Sequence, residues 1–399
     1  MSNIRYIDHD HIENKRVLLR VDFDVSLNAD ATIANDLRIA QNIPTIEKLL
    51  QNNNRLICVA KLGRPKVGVR DPLLSMNIVA DRLREYVPHA KVTVVDDFQS
   101  DNKHVFEAQQ PNEILLLENI RFYQGEKEND AEFAKQLAGL ADVFVNDAFA
   151  VSHRSEASVV GVTKYLPSYG GLLLQKEISM IDAAIKNPKK PVVVILGGSK
   201  ISSKISLIDR LIMLADHLLI GGGMANTFLE AQGIEIGESL SEKSELEHAR
   251  ILLDQAAKHQ TTIMLPVDVV CGDIKNDQLS VVKKVDSVEK GDAILDIGPE
   301  TQAIWGAAIA ASQTIIWNGP VGYFENAAFR RGTDFIYYAI TQNTQCTSIL
   351  GGGDTLAAIS KKEYLENITH ISTGGGAMLE YIEKGTLVGL EALESSPNT

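Results

Sequence analysis

The chain has 399 residues, of which 45% are apolar and 23% charged, and it carries a formal charge of −13 at pH 7. That length allows two domains of ordinary size with a sizeable core. The acidic balance excludes nucleic acid as an expected partner, because a phosphate backbone needs a basic footprint, so any anionic ligand must be held by local cation clusters.

The opening stretch MSNIRYIDHDHIENK is polar and does not read as a signal peptide. No apolar run reaches the ~18 residues of a membrane-spanning helix, so no membrane partner and a cytoplasmic location are expected. Short branched runs then follow in chain order: RVLLRVDF, RLICVA, EILLLEN, DVFVNDAF, PVVVILGG, HLLIGGG, TIIWNGP and TSILGGG. None alternates cleanly, which predicts parallel strands covered on both faces. Helical stretches lie between them. NDLRIAQNIPTIEKLLQNN is one, with Asn35 or Asp36 as its cap; TQAIWGAAIAA and RGTDFIYYAITQN are others. GGLLLQKEISMIDAAIKNPKKP predicts a helix bridging two lobes. The alternation predicts an α/β protein of two Rossmann-like, doubly wound parallel-sheet domains joined by that helix. Cys58, Cys271 and Cys346 are odd in number and far apart, which suits small core residues rather than a disulfide framework or a metal site.

Residues 1–185 hold 11 of the 15 arginines and 7 of the 29 glycines, whereas 186–399 hold 4 and 22. Arginine grips carboxylate and phosphate with two donors, and glycine lets backbone approach a ligand. An anion clamp in the first half and a glycine-lined nucleotide site in the second are expected; compositional drift is the alternative. Arg20, Arg38, Arg64, Arg121 and Arg154 fall at turns or helix starts, with Lys61 and Lys66 near Arg64. Taken singly, each could be a surface ion pair; together they predict a basic basin. His153 lies in the same stretch as Arg154 and suits a structural or anion-contacting role.

In the second half, Gly221–Gly223, Gly351–Gly353 and Gly374–Gly376 each follow a strand-like run and precede a helix. In LGGSK, the glycines are expected to open a helix whose free N–H groups form an anion site, with Lys200 and Lys204 on one face of it. Two solvated surface lysines are the alternative. Asp354 at a glycine turn would hold Mg2+ against phosphate oxygens, or simply cap a helix. Glu325 in WNGPVGYFE could accept hydrogen bonds from a ribose.

The order of RVDFDV, DLRI, LGRP, LLENIRF, NDAFAVSHR, GGSKISSK, GGGMANTF, DIGPET, WNGPVGYFE, GGGDT and STGGGA resembles the phosphoglycerate kinases across essentially the whole chain. The resemblance implies a triose-phosphate domain at 1–170, a connecting helix at 171–187, a nucleotide domain at 188–380 and a segment at 381–399 that folds back on the first domain. It implies reversible phosphoryl transfer from 1,3-bisphosphoglycerate to MgADP, giving 3-phosphoglycerate and MgATP after closure of the two domains, with these small molecules as partners and a monomer as the expected state. Its triose site would use Asp22, Phe23, Asp24, Arg38, Lys61, Leu62, Gly63, Arg64, Arg121 and Arg154. Its nucleotide site would use Gly198, Lys200, Lys204, Asn318, Glu325, Gly351, Gly352, Gly353, Asp354 and Thr355, with Asp354 on Mg2+. Arg38 and Lys200 would flank the migrating group, and backbone N–H groups of Gly351, Gly374 and Gly375 would spread its charge. The chain departs from the family's usual pattern, which has Asn at Asp24, Pro at Ser26, His at Lys61 and Glu156, Ala at Ser199 and Asp at Ser203. A catalytically weak, nucleotide-responsive relative is the second reading. A dinucleotide-dependent dehydrogenase is disfavoured, as no G-x-G-x-x-G opens a helix in the second half.

Overall fold

The computed structural model describes residues 3–100, 103–273, 276–360 and 363–397, with the backbone alone at 103, 276–279 and 354. The chain divides into two compact units, one of Met1–Ser179 with Thr386–Thr399 and one of Met180–Gly385. Among the described residues, no helix is long and apolar enough to cross a membrane.

The first unit is built on strands β1 (Arg16–Arg20), β2 (Arg55–Val59), β3 (Lys91–Val95), β4 (Glu113–Leu117), β5 (Val143–Asn146) and β6 (Ser168–Gly170). They pair in the order β3-β4-β2-β1-β5-β6, and every pair is parallel. Val17, Leu18, Leu19, Leu56, Ile57 and Cys58 have no exposed surface, so both faces of the central strands are covered. Helix α1 (Leu37–Gln51) presses Ile39, Ile46, Leu49 and Leu50 onto one face. Its start is held by Asn35, whose Oδ1 accepts from Leu37 N at 2.8 Å. Asp36 is the cap residue but makes no side-chain cap bond; its carboxylate accepts from Arg82 and Tyr86 instead.

Helix α2 (Leu172–Ile185) contains the boundary between the units. Its first turn is fastened by Asp147, the residue after β5, whose Oδ1 accepts from Leu173 N at 2.8 Å and Leu174 N at 3.1 Å. A Cβ at Gly171 would lie 2.2 Å from that oxygen, which explains the glycine.

The second unit carries β7 (Val192–Leu196), β8 (His217–Ile220) and β9 (Thr262–Met264), then β10 (Asp268–Asp273), β11 (Asn276–Lys284) and β12 (Ile294–Ile297), and last β13 (Thr314–Asn318), β14 (Thr347–Gly351) and β15 (His370–Ser372). The main sheet runs β9-β8-β7-β13-β14-β15, all parallel. Strands β10, β11 and β12 form a separate antiparallel sheet that the β-α-β reading did not contain. Val281 and Val282 of β11 are 55% and 53% exposed, so that sheet lacks the double burial that made the other strands legible. Residues 386–397 belong to the first unit: Gly389 N, on the helix α3 (Val388–Glu394), donates to Ser152 O at 2.8 Å, and Arg5 donates to Ser396 and Pro397.

Three carboxyls are buried deeply enough that burial pushes each up to about 7: Asp147, Glu126 and Asp296. Their unfolded values are near 3.8 for the aspartates and 4.5 for the glutamate, so between about pH 4 and pH 7 the folded state binds more protons. The stability they contribute is complete at the acid end of that window and is lost as pH rises through about 7. Thermal melts from about pH 5 to pH 8 should show this fall, and Asp147→Asn should flatten it. Parallel curves for the two proteins would count against the assignment.

Candidate functional site

Strands β4, β2, β1 and β5 are neighbours, and their carboxyl ends release four loops along one edge of the first sheet. After β1 come Asp22, Phe23 and Asp24; after β2, Lys61, Leu62, Gly63 and Arg64; after β4, Asn119 and Arg121; after β5, Asp147, His153 and Arg154. Arg38, in the first turn of α1, joins them: its Nη1 donates to Asp24 O at 2.7 Å, and its Nε lies 3.4 Å from Asp22 Oδ2. Asp24 and Lys61 form a direct ion pair, and Gly63 N donates to Asp24 Oδ1 at 2.7 Å. These partners hold the Asp24 carboxyl below its usual range although burial opposes them, and burial lowers Lys61 although Asp24 and Asp22 oppose that. Arg121 and Arg154 both reach Glu156 Oε1, at 3.4 and 3.9 Å. Both carboxylates that depart from the family pattern are therefore paired with cations.

The other expected residues fall into clear classes. Arg64 is exposed, and among the described residues it has no ion-pair partner. Phe23 and Leu62 are core side chains with no exposed surface, so they can offer a ligand only backbone. Arg20 does not belong to the basin. It is fully buried at the end of β1, donating to Ser158 Oγ at 2.8 Å and Val21 O at 2.6 Å. Asn119, within LLENIRF, is uncharged and escapes a reading based on cations at strand ends. Buried completely, it ties two loops together: Oδ1 accepts from Leu62 N and Arg121 N, and Nδ2 donates to Leu62 O and Leu74 O.

In the second unit, the carboxyl ends of β8, β7, β13, β14 and β15 release the glycine turns. Strands β7 and β13 flank the switch point, where the chain leaves in opposite directions and open α/β sheets bind ligands. Most of these glycines are required by contact between turns. A Cβ on Gly197 would sit 2.0 Å from Pro320 O, on Gly222 2.7 Å from Gly198 O, and on Gly375 2.4 Å from Gly352 Cα. Asn318 and Thr355 lock the same turns, donating to Gly351 O at 2.7 and 2.8 Å. A Cβ on Gly351 would meet the end of the flexible Met378 side chain at 2.1 Å, a contact that a shift of the methionine can relieve. Gly198, Gly353 and Gly376 have open space at their Cβ positions, and Gly198 also has φ +115°. At these three positions no neighbouring turn accounts for the glycine. Gly374 N donates to Ser372 Oγ at 3.3 Å.

The helix after GGSK begins at Ile205, not at the glycines, so Lys200 and Lys204 do not share a helix face. Lys200 is exposed on the loop and Lys204 is the cap residue. Glu242 holds the intervening turn, accepting from Ser202 N at 2.9 Å and Ser202 Oγ at 2.7 Å. The helix Gly353–Ala358 is capped by Gly352 at φ 102°, which removes the cap role from Asp354. Asp354 falls in the first turn, and its side chain lies outside the described residues. Beside Gly198 and Gly222 opens a cavity of about 670 Å3 lined by Leu240, Leu295, Val321, Tyr323 and Phe324, with Glu325 also on its wall. An apolar cleft with few polar groups suits a flat organic ring. The cysteines are buried, and burial pushes the Cys58 thiol up to about 12 and that of Cys271 up to about 11.

A cation basin on one parallel-sheet unit and a glycine-walled cleft on another define the class of two-unit α/β phosphotransferases. The chain belongs to the phosphoglycerate kinase family: the family model for phosphoglycerate kinase matches residues 7–385. It is 44% identical to a phosphoglycerate kinase of Dictyoglomus turgidum over 96% of both chains, and 45% identical to that of Moorella thermoacetica over 96% of this chain and 97% of the other. A solved phosphoglycerate kinase from Coxiella burnetii superposes with a TM-score of 0.86 at 38% identity, covering 98% of each chain.

The two kinds of glycine separate experimentally. Gly197→Ala should lower the melting temperature markedly, because the methyl group meets backbone that cannot move aside. Gly376→Ala, with open space, should leave melting nearly unchanged, so any weakening of nucleotide binding reports on the ligand face. Equal melting temperatures for both variants would refute the division.

Proposed function

We propose that this chain binds a phosphorylated carboxylate on the first unit's basin and a nucleotide in the second unit's glycine-walled cleft. The reaction is reversible transfer of a phosphoryl group between 1,3-bisphosphoglycerate and ADP, giving 3-phosphoglycerate and ATP. The observation that carries the reading is the convergence of Arg38, Lys61, Arg121 and Arg154 at the ends of four adjacent strands in a chain of charge −13.

In the forward direction the bond from phosphorus to the acyl oxygen breaks, and its electron pair leaves on a carboxylate. The new bond forms to a β-phosphate oxygen of ADP. The attacking oxygen is already ionised, so no general base is required, and the protein supplies positioning and charge stabilisation. Arg38 and Lys200 are assigned to the transferred group, with backbone N–H groups of Gly351, Gly374 and Gly375 spreading its charge. Lys204, Asn318, Gly198, Gly352, Gly353 and Thr355 shape the phosphate path, and Glu325 receives the ribose. Among the described residues no three His, Cys, Asp or Glu side chains gather to hold a metal. A single carboxylate at a helix start suits Mg2+, which takes most of its ligands from water and phosphate. Asp354 would hold it, and the bound ion would neutralise phosphate charge. Small molecules are the proposed partners, with no nucleic acid, a monomeric state and a cytoplasmic location.

Arg38→Ala should cut turnover by roughly 10³-fold or more with little change in ADP affinity, since arginines on transferred phosphoryl groups are worth about 10³–10⁵ in rate. Half of the original turnover would refute the role. Asp354→Asn should raise the Mg2+ concentration for half-maximal activity and leave 3-phosphoglycerate binding nearly constant, as magnesium titrations would show. For the Asp24–Lys61 pair, Asp24→Asn should keep or tighten 3-phosphoglycerate binding, Lys61→His should weaken it, and the double variant should recover part of the loss. Touching residues couple by about 0.5–3 kcal/mol, so strict additivity of the dissociation constants would show that the pair does not act as a unit.

A further inference from the structure

Arg121 and Arg154 leave β4 and β5, which β2 and β1 separate in the sheet. Both guanidinium groups nonetheless meet on one carboxylate oxygen, Glu156 Oε1, at 3.4 and 3.9 Å. Glu156 is only 6% exposed. It is fixed by its own turn, where its carbonyl accepts from Val159 N at 3.1 Å and Val160 N at 2.8 Å. Two residues on, Ser158 is bonded through both N and Oγ to buried Glu126. The carboxylate is therefore a built part of the basin and not a mobile surface group.

Its bonds are loose. Charge-assisted N–H···O contacts settle at about 2.7–2.9 Å, so both guanidinium groups retain donor capacity for a better-placed acceptor. Glu156 Oε2 is buried without a hydrogen-bond partner. An anion arriving at Arg121 and Arg154 must compete with a negative charge already buried beside them. A lone oxyanion has one set of contacts with which to do so. A ligand with two anionic groups holds its second group elsewhere in the basin, at Arg38 or the exposed Arg64, and its first group then competes at high effective concentration.

We propose that Glu156 is a specificity-determining residue that screens the basin against free inorganic oxyanions and admits organic phosphates carrying a second negative group. This rests on the reading of the basin as the site for a phosphorylated carboxylate. The carboxylate acts as an internal competitor for the two arginines. A one-point ligand at Arg121 and Arg154 bears the whole cost of that competition, whereas a two-point ligand, held elsewhere in the basin, stays bound with that contact only partly made and bears less of it.

The test uses the full chain and two probes, sulfate and 3-phosphoglycerate, with dissociation constants at one fixed ionic strength. Glu156→Gln should bind sulfate about tenfold more tightly, because a like charge beside the anion is gone. Affinity for 3-phosphoglycerate should rise by less, so the ratio between the two ligands narrows. Glu156→Asp, which keeps the charge, should stay near the original ratio. Should Glu156→Gln not fold, Glu156→Ala carries the same expectation. Unchanged or weaker sulfate binding in the neutral variant would overturn the proposal, as would equal tightening of both ligands. No binding of 3-phosphoglycerate to the unaltered chain would instead overturn the reading of the basin itself.

Discussion

A parallel strand can release a loop toward a ligand only from its carboxyl end, and in each six-stranded sheet all those ends lie along one edge. Everything chemical in the two units follows from that constraint. In the first unit, residues far apart in the chain, from Asp22 to Arg154, become neighbours because their strands point the same way. In the second, five turns are crowded onto one edge, and the crowding itself selects glycine. Where two turns press together, as at Gly197 against Pro320 or Gly375 against Gly352, any side chain would push the edge apart.

The strands legible in the sequence were those buried on both faces, such as VVVIL at 192–196, where all five residues have no exposed surface. The edge strands β6, β9 and β15, of three residues each, were too short to stand out, and β3 is only partly buried. The antiparallel sheet was missed because its valines at 281 and 282 face outward. The site was legible as residue types at strand ends, and that criterion had a specific weakness. Arg20 and Arg121 look alike in sequence, yet one lies within its strand and turns inward while the other lies beyond its strand. The start of the helix after GGSK was hidden for another reason: the turn at 201–204 is held by Glu242, forty residues away.

The chain is acidic overall, yet its first-unit basin gathers four cations, and three carboxylates are interleaved with them. Like charges that close would repel in the absence of ligand. Asp22, Asp24 and Glu156 neutralise most of that repulsion, so the arrangement does not depend on a bound anion to hold it together. Asp24 bonds to Lys61, Arg38 and the Gly63 amide at once, which ties its own loop to the loop after β2 and to the start of α1 through one side chain. Deeper in the unit, Asp147 performs the same fastening for a helix start that Asp24 performs for loops.

The segment 386–397 completes a unit whose other residues end at Ser179. During synthesis the ribosome therefore finishes the contiguous second unit before it finishes the first. Until the helix Val388–Glu394 emerges, Ser152 O lacks the amide of Gly389, and Arg5 lacks the acceptors at Ser396 and Pro397. The nascent first unit must wait with that surface uncovered while roughly two hundred further residues are made. The unit begun first is thus completed last, and residues 386–397 act as the latch of the part that was made first.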